Sequence, residues 1–182
     1  ALRVRRGALQ WLAQAPGADV RPDRDAGSVD VTPMMPSILL DLLNRGQLAS
    51  GISTFDPDRA QLVDTYKVSA IAEVFRTSHP GKHRAILQEY AGRAAIGHTR
   101  YSTTGSTHIQ NAQPILARNG DIELALAHNG NVINAEALRQ ELGEWGVSFS
   151  ASTDSEIIAQ LLAHAPGENW KERVNYMMRR LQ

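Results

Sequence analysis

The sequence predicts an α+β fold, with strands gathered ahead of a run of helices, and three observations carry that expectation. Residues 94–101 and 122–127 are apolar and of strand length, as buried strands should be. Asp56-Pro57-Asp58 separates two strand-like runs, 51–55 and 61–67, and its composition suits a hairpin turn. Helical periodicity then takes over from residue 135 to the last residues, without the strand–helix alternation of a parallel sheet.

Taken in order, residues 1–6 are basic, and residues 7–15 have the Ala, Leu and Gln content of a short helix. Residues 16–28 are rich in Pro, Gly, Asp and Arg, a composition with little apolar surface to offset ordering entropy. Val29-Asp30-Val31 reads as the start of a strand. Residues 1–33 are therefore expected to form an atypical, mobile N-terminal segment, and residues 34–182 the main domain. Pro36 near a first turn, Ile38, Leu39, Leu42 and Leu43 at helical spacing, and Gly46 as the stop predict a helix. Asn134 is the expected N-cap of a helix over 135–142, with Gly143 ending it. Ser152 or Thr153 caps the next helix, whose apolar face is Ile157, Ile158, Leu161 and Leu162. Trp170, Val174, Met177, Met178 and Leu181 mark a last amphipathic helix.

Composition narrows the function classes. Lys plus Arg equals Asp plus Glu at 19 each in 182 residues, so no global field recruits nucleic acid or an anionic membrane. No apolar run approaches the roughly 20 residues of a membrane span, and nothing resembles a signal peptide; a cytoplasmic protein is expected. The chain has no cysteine, which excludes disulfides, thiolate metal sites and thiol catalysis by these residues.

Three segments carry chemistry. Arg100, in Gly97-His98-Thr99-Arg100-Tyr101-Ser102-Thr103-Thr104-Gly105, offers a guanidinium that binds a carboxylate through paired N–H bonds; the plain alternative is a surface arginine paired with an acid. Asn129-Gly130, after Ala127-His128, reads either as a tight turn or as an oxyanion hole of one side-chain amide and one backbone N–H. Asp154, in Ser152-Thr153-Asp154-Ser155-Glu156, is either helix-terminus chemistry or the acceptor of a ligand ammonium. His98 and His128 lack a carboxylate at ligand spacing, so no metal and no cofactor is expected.

These segments, in this order, resemble the class II, N-terminal-nucleophile glutamine amidotransferases, and most closely the glutaminase domain of the amidophosphoribosyltransferases. Arg45-Gly46-Gln47 with Ala49-Ser50-Gly51 is similar to that family's Arg-Gly-Gln-Asp-Ser-Ala-Gly signature. Asn111-Ala112-Gln113-Pro114 and the Arg100 segment favour this branch of the class. The resemblance implies a four-layer αββα sandwich and L-glutamine as the ligand. It implies Arg100 on the glutamine α-carboxylate, Asp154 on its α-ammonium, Asn129 and Gly130 as the oxyanion hole, and Arg45 near the pocket. It further implies hydrolysis to glutamate and ammonia, passed to a synthase domain, a partner subunit or another copy in an oligomer.

The chain departs from the family in two respects. The family opens on Cys-Gly-Ile, whose thiol attacks the amide; family spacing puts that position near residues 20–24, where this chain has no match. The family also continues into a Gly-Ala-Tyr-Ser strand and a phosphoribosyltransferase domain, so the domain over 34–182 is expected to be truncated at its C-terminal end. Two readings follow: a glutaminase domain lacking its thiol, or a non-catalytic glutamine-sensing or scaffold subunit.

Overall fold

A computed structural model describes residues 10–14, 30–42, 49–58, 61–67, 71–100 and 109–182. They fall into two compact units, one combining residues 1–18 with 115–182 and the other spanning 19–114. The fold is α+β, as expected.

In the first unit, β1 (Gln10–Gln14), β5 (Ile115–Asn119) and β6 (Ile122–Ala127) form an antiparallel sheet in the order β1-β6-β5. Gln10 lies opposite Ala127 and Gln14 opposite Glu123. Residues 10–14, within the helix expected over 7–15, are thus a strand. Helix propensity differs by only about 0.7 kcal/mol per residue among ordinary side chains, whereas β6 offers a complete backbone ladder. The β5–β6 hairpin turns at Gly120-Asp121, just after Asn119, where Gly120 takes φ +57°, and Arg118 and Glu123 pair across it. The sequence reading passed over β5, although Asn-Gly is a strong hairpin signal.

One face of this sheet packs on α5 (Asp154–His164). Ile115, Ala117, Leu124 and Leu126 meet Ile157, Ile158, Leu161 and Leu162 in a single core, as the period of each element requires. Burying each of those four helix side chains is worth roughly 1.5–3 kcal/mol. The Thr153 cap, which accepts Glu156 N–H at 3.4 Å, is worth about 1 kcal/mol. Packing therefore places the helix, and the cap decides where it starts.

Two further helices complete the unit: α4 (Ala135–Glu144) and α6 (Trp170–Arg180). Helix α4 does not stop at Gly143. Its last residue is Glu144, and the chain turns away at Gly146 with φ +85°, where Val147 N–H donates to Leu142 O and Gly146 N–H to Gly143 O at 3.0 and 2.9 Å. Those two bonds satisfy carbonyls that a helix end leaves open. Asn134 precedes α4 but makes no side-chain cap. Its amide instead donates to Arg180 O at 2.7 Å and accepts Gln182 N–H at 3.0 Å. Asn169 does cap α6, accepting Glu172 N–H at 3.1 Å. On α6, Met177 is fully buried while Met178, expected on the apolar face, is exposed.

In the second unit, α1 (Met35–Asp41) packs on an antiparallel sheet of β2 (Ala49–Asp56), β3 (Gln61–Lys67) and β4 (Ala94–Arg100), ordered β3-β2-β4. The predicted hairpin is present, with Asp58 N–H donating to Asp56 Oδ1 at 3.0 Å. Pro36 sits in the first turn of α1, as expected. Its buried face is Met35, Pro36 and Leu39, while Ile38 and Leu42 are exposed; Leu43 and Gly46 lie outside the described residues. Helix and sheet approach closely at Gly97, where a Cβ would come within 2.7 Å of Met35 Cε and 2.9 Å of Leu39 Cδ2.

Asp30 and Val31 are not in a strand. Asp30 Oδ1 accepts the N–H groups of Thr32 and Gly92, each at 3.0 Å, and Val31 N–H donates to Gly92 O, pinning this segment beside the start of β4. Two helices went unforeseen: α2 (Ile71–Val74) and α3 (Pro80–Glu89). No residue of α3 is buried, so its apolar periodicity is weak; Pro80 at its start was the available signal. Among the described residues, no helix is long and apolar enough to cross a membrane.

Candidate functional site

Strand β6 ends at Ala127, and His128-Asn129-Gly130-Asn131-Val132 carries the chain toward α4. Asn129, Gly130 and Asn131 are exposed, and Val132 is buried. The first turn of α5 holds both ends of this loop. At the far end, Val132 N–H donates to Asp154 Oδ2 at 3.0 Å. At the near end, His128 Nδ1 lies 3.3 Å from Ser155 Oγ and 3.9 Å from Asp154 Oδ1.

The His128 side chain is only 9 % exposed. Burial pushes its pKa below the ordinary imidazole value of 6.5, and the Asp154 carboxylate opposes that push only in part. The ring is therefore neutral at pH 7. A Cβ on Gly130 would stand 2.7 Å from His128 Nε2, so the ring edge lies against the Gly130 backbone and leaves no room for a side chain.

Asp154 opens α5, where the helix N-terminus favours a carboxylate. Behind it, Glu156 is 3 % exposed and accepts Ser150 N–H at 2.7 Å, Ser150 Oγ–H at 2.9 Å and Ala151 N–H at 2.8 Å. Three donors satisfy the buried charge and fix the segment that enters α5. A rigid carboxylate beside an exposed loop of backbone and side-chain amides suits a small polar ligand carrying an ammonium and a carbonyl.

In the second unit, Arg100 is the last residue of β4 and lies opposite Ala49 on β2. Gly97 and Thr99 face α1, the Thr99 hydroxyl reaching Leu42 O at 3.5 Å. Strand alternation then puts Ile96, His98 and Arg100 on the opposite face of the sheet. Both His98 and Arg100 are within the strand, inside the 94–101 run expected to be extended. Asn111, Ala112 and Gln113 are buried, and the Gln113–Pro114 peptide is cis. Arg45 and residues 101–108 lie outside the described residues.

Comparison with known families gives one decisive match. The glutamine amidotransferase domain model covers residues 51–178. The chain belongs to the glutamine amidotransferase domain family. Among curated relatives, the amidophosphoribosyltransferase of Synechococcus elongatus is 41% identical over 146 residues, 79% of this chain and 28% of that protein. Its counterpart in Homo sapiens is 33% identical over 158 residues, 83% of this chain and 29% of that protein. The chain thus spans less than a third of the length of these relatives. Among solved structures, the Bacillus subtilis glutamine phosphoribosylpyrophosphate amidotransferase complexed with ADP and GMP superposes with a TM-score of 0.71 at 32% identity. That alignment covers 86% of this chain and 32% of the other.

Within this glutamine amidotransferase domain, the structure brings Asn129, Gly130 and Asp154 together in one compact unit. Arg100 belongs to the other unit. From the sequence, His128 reads as a histidine satisfying local backbone, not as a metal ligand, and Glu156 as part of a motif. Direct adjacency to Asn129-Gly130 was the signal for the first, and the Thr-x-x-Glu spacing of a helix start for the second.

Strand β1 adds a positional fact. It runs antiparallel to β6, and its first residue, Gln10, pairs with Ala127, two residues before Asn129. The start of β1 is therefore at the end of the sheet from which the loop departs. The position near residues 20–24 at which family spacing put a nucleophile lies outside the described residues.

Proposed function

We propose that this chain is the glutamine-binding module of an amidotransferase of the amidophosphoribosyltransferase type, acting in purine biosynthesis, with the four-layer αββα arrangement of that class. Arg100 binds the α-carboxylate of L-glutamine through its guanidinium fork. Asp154 receives the α-ammonium. Asn129 and Gly130 donate hydrogen bonds to the side-chain carbonyl, where negative charge develops on attack. The family resemblance adds Arg45 as a further glutamine-binding residue. Ammonia released there passes to a synthase domain, a partner subunit or a neighbouring copy.

The observation that carries this reading is the clamped loop, with Asn129 and Gly130 exposed beside a carboxylate at a helix N-terminus, in a chain of this family. The thiol is not among these 182 residues. They supply recognition and oxyanion stabilisation, without the thiol that attacks the amide in the family.

The same absence of cysteine favours a second reading, a glutamine-sensing or scaffold subunit that keeps the fold without the chemistry. Calorimetric titration with L-glutamine, with glutamate and ammonia assayed in the same sample, separates a glutamine-binding chain from a scaffold. Binding without turnover, abolished by Arg100→Ala, is the expected result. A chain that does not bind L-glutamine is a scaffold, and turnover would mean a nucleophile other than cysteine.

A further inference from the structure

We infer that His128 is a positioning residue, the strut that sets where the Asn129 amide and the Gly130 N–H point. The inference rests on the proposed role of that pair as the donors to the glutamine side-chain carbonyl.

The argument is geometric. A loop of five residues with three exposed members has many conformations, and ordering each costs about 1–2 kcal/mol of backbone entropy. Yet oxyanion donors are effective only when they are already in place. Among the described residues, α5 supplies the restraint at two points. Val132 N–H is held by Asp154 Oδ2 at 3.0 Å, which fixes the exit of the loop. The entrance is fixed by His128, whose side chain is almost fully buried and whose Nδ1 sits 3.3 Å from Ser155 Oγ.

The far edge of the same ring then reaches forward. Nε2 would be 2.7 Å, Cε1 3.3 Å and Cδ2 3.6 Å from a Cβ on Gly130, so the imidazole is wedged between α5 and the Gly130 backbone. His128 spans from helix to loop and sets their spacing; it need not touch the ligand. The two neighbours in α5 act together: Asp154 holds the loop exit through Val132 N–H, and Ser155, whose Oγ meets His128 Nδ1 at 3.3 Å, also donates to Asp154 Oδ1 at 3.5 Å.

Two amino acids distinguish this role from general stability. L-Glutamine and L-norvaline share the α-carboxylate, the α-ammonium and the three-carbon side chain, but norvaline has no amide carbonyl. The ratio of their affinities therefore reads contacts to the side-chain amide, the Asn129 and Gly130 donors among them, and not those to the α-carboxylate and α-ammonium. Titrations of the full chain, His128→Ala and His128→Asn with each amino acid give that ratio, with thermal midpoints recorded alongside.

The expected result is a glutamine-to-norvaline ratio lowered about tenfold in His128→Ala, the loss of roughly one well-placed hydrogen bond. Norvaline affinity should stay within about twofold of the unmodified chain. His128→Asn, which keeps an amide in reach of Ser155, should recover part of the ratio. If both affinities fall together, or neither changes, His128 does not position the donors and the inference is wrong. If the unmodified chain binds neither amino acid, the proposed function itself fails, and the inference with it.

Discussion

Asp154 accepts the backbone N–H of Val132 through Oδ2 at 3.0 Å, while its Oδ1 lies 3.9 Å from Nδ1 of His128. One carboxylate thus serves two ends of the same loop. A residue that sequence reading weighs as either a helix-start acid or a ligand acceptor is structurally committed before any ligand arrives. Ligand binding and loop restraint at Asp154 are consequently separable by substitution.

Asp154→Asn keeps an oxygen for Val132 N–H but removes the charge, and its cost should be near that of a lost helix-dipole interaction, about 0.3–1 kcal/mol. Asp154→Ala leaves the Val132 N–H without its acceptor and should cost about 1–3 kcal/mol more. Urea unfolding of both variants measures the difference. Equal costs would mean that the hydrogen bond contributes nothing.

Gly130→Ala places a methyl group 2.7 Å from His128 Nε2. Overpacking of this kind should destabilise the chain by about 1–3 kcal/mol. In a His128→Ala background the methyl group has room, and the added cost should drop below about 0.5 kcal/mol. The double-mutant cycle, read by denaturant unfolding, tests the contact directly; additive costs would show that the ring and the glycine do not meet.

Glu156→Gln removes the charge from a buried group with three donors, and it turns an NH2 toward one of them. The expected loss is about 2–3 kcal/mol, since hydrogen bonds to an ion are the stronger kind. Glu123→Gln, at the Arg118 pair where the arginine is 66 % exposed, should cost no more than about 1 kcal/mol. Comparable losses at the two sites would contradict the burial argument.

Acid sensitivity should trace to His128. Burial depresses its folded-state pKa below 6.5, with Asp154 opposing only in part. The unfolded chain therefore binds the proton more readily than the folded one. Stability from this group is complete above the ordinary imidazole value, falls as pH drops through it, and levels off below the folded-state pKa. Unfolding midpoints measured across that window should slope less steeply in His128→Asn than in the unmodified chain. Identical slopes would assign the sensitivity elsewhere.

Legibility followed the range of the signals. The β2–β3 hairpin was readable because Asp56-Pro57-Asp58 is local turn chemistry, and α5 because Thr153 and a four-residue apolar face announce it. The β1 strand was not, since Ala, Leu and Gln lean toward helix and only the ladder with β6 makes the segment extended. Asn134 has the side chain of a cap and sits in the right place, yet its amide is taken by Arg180 and Gln182, residues more than forty positions away.

The site divides in the same way. Asn129, Gly130 and Asp154 were nameable from residue type and motif, because amide, glycine and carboxylate each have few chemical uses. What the sequence by itself determined was the family and the inventory of groups: a guanidinium, an amide turn, a carboxylate and no thiol. Only the tertiary structure decided that Asp154 holds Val132, that His128 is wedged against Gly130, and that Glu156 is buried under three donors. Those contacts join residues 2 to 22 positions apart, and the spacing between two packed elements is set by the whole core between them, not by the local chain.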